Sequence, residues 1–593
     1  MAFTQCIMAS VVMPEDAARY AGRFMGMSSV PVADNVNLQR SASRGGGHDP
    51  EYYIFNNPDG GWVIIAADDR ITPVLAYSES GSFDCDADMP DNLSSWIDEV
   101  SQTVNAVRGS DEVASARVSA AWSALRGAGA APEGTKKEIE TAKWDQNSPY
   151  NKLCPIVAGE TKPSATGCVA TAMAIAMRYN MWPEKGKGKI GGYTTPTRFY
   201  RISQYSIEGK VYDWSNMPLT DAAQVEWTSE QEQQVAQLIY DCGVMVEMDY
   251  TSEESGARFY KIPVAMRDHM SYSDKILQVN RASYQVNEWF SVIKNEIDAD
   301  RVVIYIADGS SGGHAMVCDG YDTDGCKLHI NWGWGGSANG YYSLDLAGVN
   351  TKYYRNLSFG YNHMAIIGIA PNTSTVLHDE KPQLWHYVNN KMYGLTPSEN
   401  WDPVTPFNIK DMVEGTELQF KAGWFLNFSN KSVTKDLKVC LMDTSGTIIR
   451  QDGWSGRLRV PAVNEMGYSE ETQMSKLTVN PELTDYFKLF FKEGSEWVPA
   501  IQNHELFPDA DGICCGVTPD PIIILPEECS AGQQIPLKLT YGFVPVKTVK
   551  WSVNGVEYNA TSLVLGSGTT EIRADVTYYD DTEGTITATL IVE

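Results

Sequence analysis

The spacing of apolar and polar residues predicts a small mixed domain at the start of the chain. Residues 14–27 open with a proline, continue with two acidic residues and then hold good helix formers, which predicts a helix. Three β-rich runs follow, at 52–55, 62–66 and 73–77, and the first two flank the turn sequence Asn-Pro-Asp-Gly. Helical spacing returns over residues 90–108.

The central part of the chain has a different order of elements. Residues 126–135 are rich in Gly, Ala and Pro and predict an exposed linker that a peptidase can cut. A strongly apolar helix is expected at 169–177, and strands are expected later, at 302–306, 315–318 and 364–369. Helices early and strands late predict an α+β domain.

Beyond residue 372 helical periodicity nearly disappears. Short strands separated by turn residues are expected at 418–420, 437–442 and 486–491, which favours a β-sandwich. The last segment repeats this style at 522–525, 535–540, 549–553, 572–578 and 586–592. With Asn554-Gly555 as a hairpin turn, it predicts a small Ig-like domain.

Composition narrows the classes of function. The chain of 593 residues is longer than the roughly 250–300 residues that one core supports, so three or four domains are expected. Its 47 basic and 75 acidic side chains give a net charge of −28, which repels nucleic acid. No apolar run has the length of a membrane helix, and the 11 cysteines include no Cys-x-x-Cys pair. A soluble protein without metal or cofactor is predicted.

Cys168 is the first candidate for chemistry. It follows a glycine in Ala-Thr-Gly-Cys-Val-Ala-Thr-Ala and lies at the start of the apolar helix. The unpaired N–H groups and the dipole at a helix start stabilise a thiolate, which is the nucleophilic form of cysteine. A buried structural cysteine would account for the same fragment, so this motif alone leaves two readings open.

His314 favours the catalytic reading. It follows a glycine-rich loop in Gly-Ser-Ser-Gly-Gly-His and begins a β-rich run. A histidine beside a cysteine can take the thiol proton and later protonate a leaving amine. The separation from Cys168, 314 − 168 = 146 residues, falls within the roughly 130–150 of papain-like peptidases. His329, in Leu-His-Ile, is an alternative base, although a packed strand residue is the simpler interpretation.

The run Asn331-Trp332-Gly-Trp-Gly-Gly comes shortly after this histidine. It is too rich in tryptophan and glycine for an ordinary strand. An amide can orient an imidazolium and an indole can shield that contact, so Asn331 and Trp332 are candidates for these roles. Core packing of the tryptophans is the alternative.

Together, the three motifs resemble the streptopain family of papain-fold cysteine peptidases, which includes interpain and periodontain. Thr-Gly-Cys-Val-Ala-Thr-Ala, Gly-Gly-His-Ala and Asn-Trp-Gly-Trp-Gly-Gly occur here in the order of that family. The resemblance implies that Cys168 is the nucleophile, His314 the base, and Asn331 and Trp332 the residues that position and cover the histidine. It also implies that Gln146, before Asn-Ser-Pro-Tyr-Asn, helps to form the oxyanion hole.

The resemblance also covers the N-terminal part, where Gly-Trp-Val-Ile-Ile-Ala-Ala-Asp-Asp-Arg at 61–70 is similar to the family's propeptide. It implies an α+β fold with five segments: an inhibitory prodomain at 1–125, a cleavable linker at 126–140, a papain-like peptidase domain at 141–371, a β-sandwich at 372–517 and an Ig-like domain at 518–593. The prodomain would act as an intramolecular inhibitor until it is cut off.

The expected function is that of a zymogen which hydrolyses internal peptide bonds through a thioester acyl-enzyme. The resemblance implies an apolar P2 residue in the substrate, host proteins as targets, and a secreted or cell-surface bacterial protein. Residues 1–13 lack the basic start of a signal peptide, so such a peptide would already be missing. Two alternatives stay open: an adhesin-like protein that binds host protein or glycan, and a Cys-His transpeptidase.

Overall fold

In the computed structural model of the chain, two compact units are separated after Lys381. The structure describes residues 11–26, 37–42, 50–85, 89, 91–108, 113–127, 134–281, 286–309, 312–343, 363–376, 384–387, 395–396, 419–420, 424–427, 432–442, 449–460, 468–470, 486–499, 501–502, 513–514, 521–525, 530–539, 546–558, 560, 562–578 and 583–592. The first unit holds both the segment predicted as a prodomain and the segment predicted as a peptidase.

The N-terminal segment forms the helices and strands that its periodicity predicts. These are α1 Pro14–Phe24, β1 Asn37–Ala42, β2 Tyr52–Asn56, β3 Trp62–Ala66, β4 Val74–Ser78 and α2 Asp91–Arg108. The predicted hairpin is confirmed, because β2 and β3 pair antiparallel and Gly60 and Gly61 close the turn at φ 103° and 95°. Only glycine adopts such angles without strain.

A helix that the periodicity did not predict, α3 Ala116–Arg126, follows at the border of the expected linker. The Ser115 side chain caps it by accepting a hydrogen bond from the N–H of Val118, and Gly127 ends it in the left-handed conformation. Trp122 anchors it, since its indole N–H donates to the carbonyl of Ile71 at 2.8 Å. Helix α3 therefore packs with the prodomain.

The peptidase segment combines four α-helices with a large sheet. Its helices are α4 Cys168–Asn180, α5 Ser229–Met245, α6 Lys261–Met270 and α7 Val286–Asp298, with a 3-10 turn at Trp214–Asn216. Its strands are β5 Lys136–Glu138, β6 Lys189–Ile190, β7 Tyr193–Thr194, β8 Arg201–Ile202, β9 Tyr205–Ser206, β10 Leu277–Asn280, β11 Val303–Gly309, β12 Gly312–Asp322, β13 Lys327–Asn331, β14 Gly340–Ser343 and β15 Met364–Ile367. The apolar helix and the late strands are confirmed.

One sheet runs through the prodomain and the peptidase segment. Its order is β1-β2-β3-β4-β14-β13-β12-β11-β15-β10, and the junction is the antiparallel pairing of β4 with β14. Tyr77 lies opposite Tyr341 and Ala76 opposite Tyr342 at this junction. The prodomain thus satisfies the edge of the peptidase sheet, which would otherwise present unpaired backbone groups.

The strand β5 pairs with β12, in the register Lys136 to Asp322 and Glu138 to Gly320. It lies inside the segment 126–140 that the sequence predicts as a linker. Thr135 is held as well, because its N–H donates to the Thr323 hydroxyl at 2.7 Å. The C-terminal part of that segment is therefore built into the peptidase sheet.

The described residues of the second unit form strands and no helix: β16 Leu384–Tyr387, β17 Leu395–Thr396, β18 Gln419–Phe420, β19 Trp424–Asn427, β20 Val433–Met442, β21 Ile449–Val460, β22 Tyr468–Glu470, β23 Tyr486–Glu493, β24 Glu496–Pro499, β25 Ile501–Gln502, β26 Ile513–Cys514, β27 Gln534–Pro536, β28 Val546–Val553, β29 Val556–Tyr558, β30 Ser562–Val564, β31 Gly568–Tyr578 and β32 Glu583–Val592. Asn554 and Gly555, both at positive φ, join β28 to β29 as predicted. The Ig-like topology stays a prediction. Across the described part of the whole chain, no helix is long and apolar enough to cross a membrane.

Candidate active site

Cys168 is the first residue of α4, as the sequence predicts. The helix is buried from Val169 to Met177, so its position in the core is fixed. Gly167 precedes it at φ 84°, and a Cβ there would lie 2.6 Å from Sδ of Met248 and 2.8 Å from the carbonyl oxygen of Ser255. Glycine is therefore required for the chain to enter this helix.

The strand β12 brings His314 to the same place. His314 is buried near the start of β12, opposite Ala307 of β11. The next residue, Ala315, directs its backbone N–H at Sγ of Cys168, with an N···Sγ distance of 3.5 Å. Two motifs that are 146 residues apart in sequence thus meet at the thiol.

The protonation state of Cys168 differs from the expectation for a helix start. Its side chain keeps some exposure, yet burial by the surrounding protein raises the pKa of the thiol above its ordinary value. The N–H groups of Ala315 and Val169 oppose this effect, and the charge of Glu254 adds to it. The helix start predicted a stabilised thiolate, but desolvation outweighs the backbone N–H groups here. The neutral thiol is thus favoured while the prodomain is attached.

Gln146 lies on a segment that is tied to the nucleophile loop. Its carbonyl accepts a hydrogen bond from the N–H of Thr166 at 3.0 Å, two residues before Cys168. Within the described part of the chain, its side-chain amide makes no hydrogen bond to another residue. The oxyanion-hole role that the resemblance implies for Gln146 stays a prediction.

The same segment contacts the tryptophan-glycine loop. The carbonyl of Trp144 accepts from the N–H of Gly335 at 3.0 Å, and the Trp144 indole donates to the carbonyl of Pro218 at 2.8 Å. Gly333 lies against the first turn of α4, because a Cβ on it would lie 3.3 Å from Cγ2 of Thr171. Loop 331–336 is therefore packed onto the helix that carries the nucleophile.

Asn331 has partners other than the imidazole. Its Nδ2 donates to the Thr141 hydroxyl and to the carbonyl of Ala142, both at 2.9 Å, and its Oδ1 accepts from the N–H of Gly333 at 3.1 Å. Strand geometry explains this, since Asn331 lies opposite Val317 and shares its face of the sheet, whereas His314 lies on the other face. In this structure the contacts of Asn331 hold the loop, and the orientation of the imidazole that the resemblance implies for Asn331 stays a prediction.

Trp332 is buried and held at both ends of its indole. Its Nε1 donates to the carbonyl of Ala338 at 3.1 Å, and its ring packs edge-on against Tyr342 at 5.0 Å. Tyr342 also contacts two prodomain tryptophans, Trp96 at 4.9 Å and Trp62 at 5.9 Å between ring centroids. An aromatic cluster therefore connects Trp332 with the prodomain.

The prodomain is fastened by further contacts at the β4–β14 junction. Tyr77 stacks on Tyr341 with centroids 4.9 Å apart, and its hydroxyl donates to Asp322 at 2.7 Å. The Trp96 indole donates to the carbonyl of Ser343 at 3.4 Å, and Lys136 pairs with Glu79. These contacts hold the prodomain against β14, which follows the tryptophan-glycine loop, and against β12 and β5.

Sequence reasoning missed Thr141 and Asp319. The Thr141 hydroxyl donates to Asp319, and it accepts from Asn331. No local sequence pattern links Thr141, Asp319 and Asn331, which lie on three different segments. The sequence signal that could have pointed to this network is the spacing of two residues between His329 and Asn331, which places both side chains on the same face of a strand. Among the described residues no group of three or more His, Cys, Asp or Glu side chains could hold a metal ion.

Comparisons with known proteins match two segments of the chain. Residues 144–342 match the peptidase C10 family, and residues 9–104 match the Spi protease inhibitor family. The thiol protease/hemagglutinin PrtT of Porphyromonas gingivalis is 32% identical over 357 residues, which are 58% of this chain and 39% of that protein. Streptopain of Streptococcus pyogenes is 28% identical over 359 residues, 57% of this chain and 85% of streptopain.

Two solved structures from Prevotella intermedia are also similar to the chain. A prointerpain A fragment is 26% identical and covers 56% of this chain and 99% of its own, with a TM-score of 0.43. Active interpain A is 29% identical and covers 40% of this chain and 95% of its own, with a TM-score of 0.34. On these sequence matches, residues 144–342 are a segment of the peptidase C10 family and residues 9–104 are a segment of the Spi protease inhibitor family, and together they resemble a streptopain-type cysteine peptidase with its prodomain.

Proposed function

We propose that the protein is a cysteine endopeptidase that is made as a zymogen, with Cys168 as nucleophile and His314 as general base. The observation that carries this proposal is the contact of Cys168 Sγ with the N–H of Ala315, the neighbour of His314. In the reaction, His314 takes the thiol proton and Sγ attacks the peptide carbonyl. The imidazolium then protonates the leaving amine as the C–N bond breaks. In the second half, His314 takes a proton from water, the water oxygen attacks the thioester carbonyl, and the C–S bond breaks to release the acid while the proton returns to Sγ.

Gln146 and the backbone N–H of Cys168 are proposed to form the oxyanion hole. Support comes from the free side-chain amide of Gln146 and from the hydrogen bond that ties its backbone to Thr166. The N–H of Cys168 is in the first turn of α4, where backbone donors have no partner within the helix. Loss of one such donor typically costs roughly 2.7–4 kcal/mol in the transition state. Trp332 is proposed to shield the site from water.

Maturation is proposed to cut the chain between Gly127 and Gly134. On one side α3 ends at Gly127 and packs with the prodomain. On the other side a Cβ on Gly134 would touch Asp322 and Asp324, and β5 follows directly in the peptidase sheet. A cut between them releases the prodomain and keeps β5 with the enzyme. Secretion, host proteins as substrates and an apolar P2 residue remain parts of this proposal that rest on the resemblance alone.

The test compares the purified full-length protein with Cys168→Ala, at near-neutral pH with a reducing agent. Cys326→Ala is the matched control, because Cys326 is a half-buried cysteine in the turn between β12 and β13 of the same segment. Wild type and control are expected to lose about 14 kDa, the share of residues 1–127 in the 65.6 kDa chain, and then to hydrolyse fluorogenic peptides. Activity in Cys168→Ala, or none in wild type after a protease has trimmed the linker, contradicts the proposal.

A second candidate function is binding to a host protein or glycan through the all-β second unit. It is supported by that unit's separation from the peptidase unit and by the word hemagglutinin in the name of PrtT. Cys168→Ala with an intact chain separates the two functions, since adhesion to cells is expected to survive the substitution and hydrolysis is not. If the protein were a transpeptidase, mass spectrometry would detect products joined to an added amine, and the product masses would therefore change when the amine is present.

A further inference from the structure

A β-bulge aims a buried carboxylate at His329. The pairing of β12 with β13 runs from Cys318 opposite Ile330 to Gly320 opposite His329, which leaves Asp319 as an extra residue. Such a bulge redirects a side chain locally. Asp319 Oδ1 lies 2.5 Å from Nδ1 of His329, and both side chains are buried. Burial of this pair carries a desolvation cost that a pair of apolar side chains would not have.

From Asp319 a chain of hydrogen bonds leads to the tryptophan-glycine loop. Its second carboxylate oxygen accepts from the Thr141 hydroxyl, and that hydroxyl accepts from Nδ2 of Asn331 at 2.9 Å. Oδ1 of Asn331 accepts from the N–H of Gly333 at 3.1 Å. Thr141, Asp319 and Asn331 are all buried. If one of these side chains moved, it would break a buried hydrogen bond that water cannot easily replace.

The groups that face His329 come from every neighbouring segment. Asp319 belongs to β12, Glu138 of β5 lies 3.8 Å from Nε2, Tyr341 of β14 packs edge-on at 4.8 Å, and Lys143 follows β5. Burial alone lowers the pKa of His329, but the two carboxylates outweigh burial and Lys143, so the pKa is raised. The tyrosine hydroxyl donates to Glu138 at 2.8 Å and keeps that carboxylate in place.

We propose that His329 and Asp319 are positioning residues that hold Thr141, Asn331 and loop 331–336 against the nucleophile helix. The inference rests on the proposed function, since it assigns the pair to the same site. The carrying observation is the unbroken chain of buried hydrogen bonds from His329 to Gly333, which packs on the first turn of α4.

A pH dependence follows from the charge of His329. The imidazolium balances the buried Asp319 carboxylate at pH values below about 6.5 and loses its proton as the pH rises through the raised value. Above that value the buried Asp319 carboxylate lacks the positive charge of His329, which destabilises the buried carboxylate and the hydrogen-bond chain that it anchors. The loop is then held less firmly, and turnover falls on the alkaline side.

The first test is an NMR titration that does not depend on enzymatic activity. It uses the full-length Cys168→Ala variant with isotope-labelled histidine and tryptophan. His329 is expected to titrate above the ordinary value of about 6.5, and the Trp332 indole signal is expected to shift with the same midpoint. In His329→Asn, which keeps a donor at the Nδ1 position, that shift disappears. The control His269→Gln, at a half-buried histidine of α6, leaves it unchanged. If the Trp332 indole signal does not shift as His329 titrates, the inference is overturned.

The second test measures kcat and KM against pH in the matured wild type, His329→Asn and His329→Leu. His329→Leu is expected to lose roughly 10- to 100-fold in kcat with little change in KM, because the loop is displaced while substrate contacts remain. His329→Asn is expected to keep most of kcat and to lose the alkaline component due to His329. Folded variants with unaltered pH profiles and lower melting temperatures would mean a structural role only. An inactive wild type would instead refute the proposed function. The NMR test of the link between His329 and Trp332 does not depend on activity and would still hold.

Discussion

Substitution of Gly167 by alanine tests how the nucleophile is positioned. Gly167 has φ 84°, where an L residue costs about 1–3 kcal/mol. Its new Cβ would also lie 2.6 Å from Sδ of Met248 and 2.8 Å from the carbonyl oxygen of Ser255, and overpacking of this kind costs about 1–3 kcal/mol more. The expected destabilisation is thus about 2–6 kcal/mol.

Gly159 provides the matched control. It has φ 89°, but no atom lies within 4 Å of a Cβ built on it, so Gly159→Ala carries only the backbone cost of about 1–3 kcal/mol. Unfolding in urea and kcat/KM of the matured enzyme are measured for both variants. Because Gly167 directly precedes Cys168, a shift of about 1 Å there is expected to cost about 100-fold in kcat/KM, while Gly159→Ala stays near wild type. Equal stability and equal activity of the two variants would refute the reasoning.

Three further predictions concern the oxyanion hole, the prodomain contact and the thiol. Gln146→Ala is expected to lower kcat about 100- to 1000-fold in peptide hydrolysis, and an unchanged kcat would exclude Gln146 from the site. Once the linker is cut, Tyr77→Ala is expected to weaken binding of the prodomain to the peptidase segment at least tenfold, because the ring stack on Tyr341 and the hydrogen bond to Asp322 are both lost. A titration of the separated segments measures this affinity. Tyr77→Phe keeps the ring and should lose less affinity, so an equal loss in the two variants would contradict the stacking. Alkylation of Cys168 in the zymogen should be slow at neutral pH and should accelerate as the pH rises through its raised pKa, since only the thiolate reacts; fast alkylation at pH 7 would contradict the burial.

The sequence predicted those elements whose signal is local. The helix α4, the hairpin of β2 and β3 and the turn at Asn554 each follow from periodicity or turn residues within a short window. The approach of the Cys168 and His314 motifs could also be predicted, because each residue stands in a distinctive motif, while their catalytic roles stay a proposal. Gln146 was found only through the family resemblance, since one glutamine in a loop carries no chemical signal of its own.

The features that the sequence did not predict depend on contacts between distant segments. The strand β5 exists because β12 offers it an edge, and residues 136–138 alone have no strand pattern. The partners of Asn331 depend on the strand register that places it on the face of Val317. The raised pKa of Cys168 depends on burial, which a helix-start argument does not contain.

The central claim is that Cys168 forms a covalent thioester with the acyl part of the substrate. The most direct measurement is an acid quench of the matured enzyme during turnover of an ester substrate, followed by peptide mapping with mass spectrometry. The account predicts one acyl group on the peptide that contains Cys168 in wild type and in Cys326→Ala, and none in Cys168→Ala or His314→Ala. An acyl group on another residue, or hydrolysis that persists in Cys168→Ala, would contradict it.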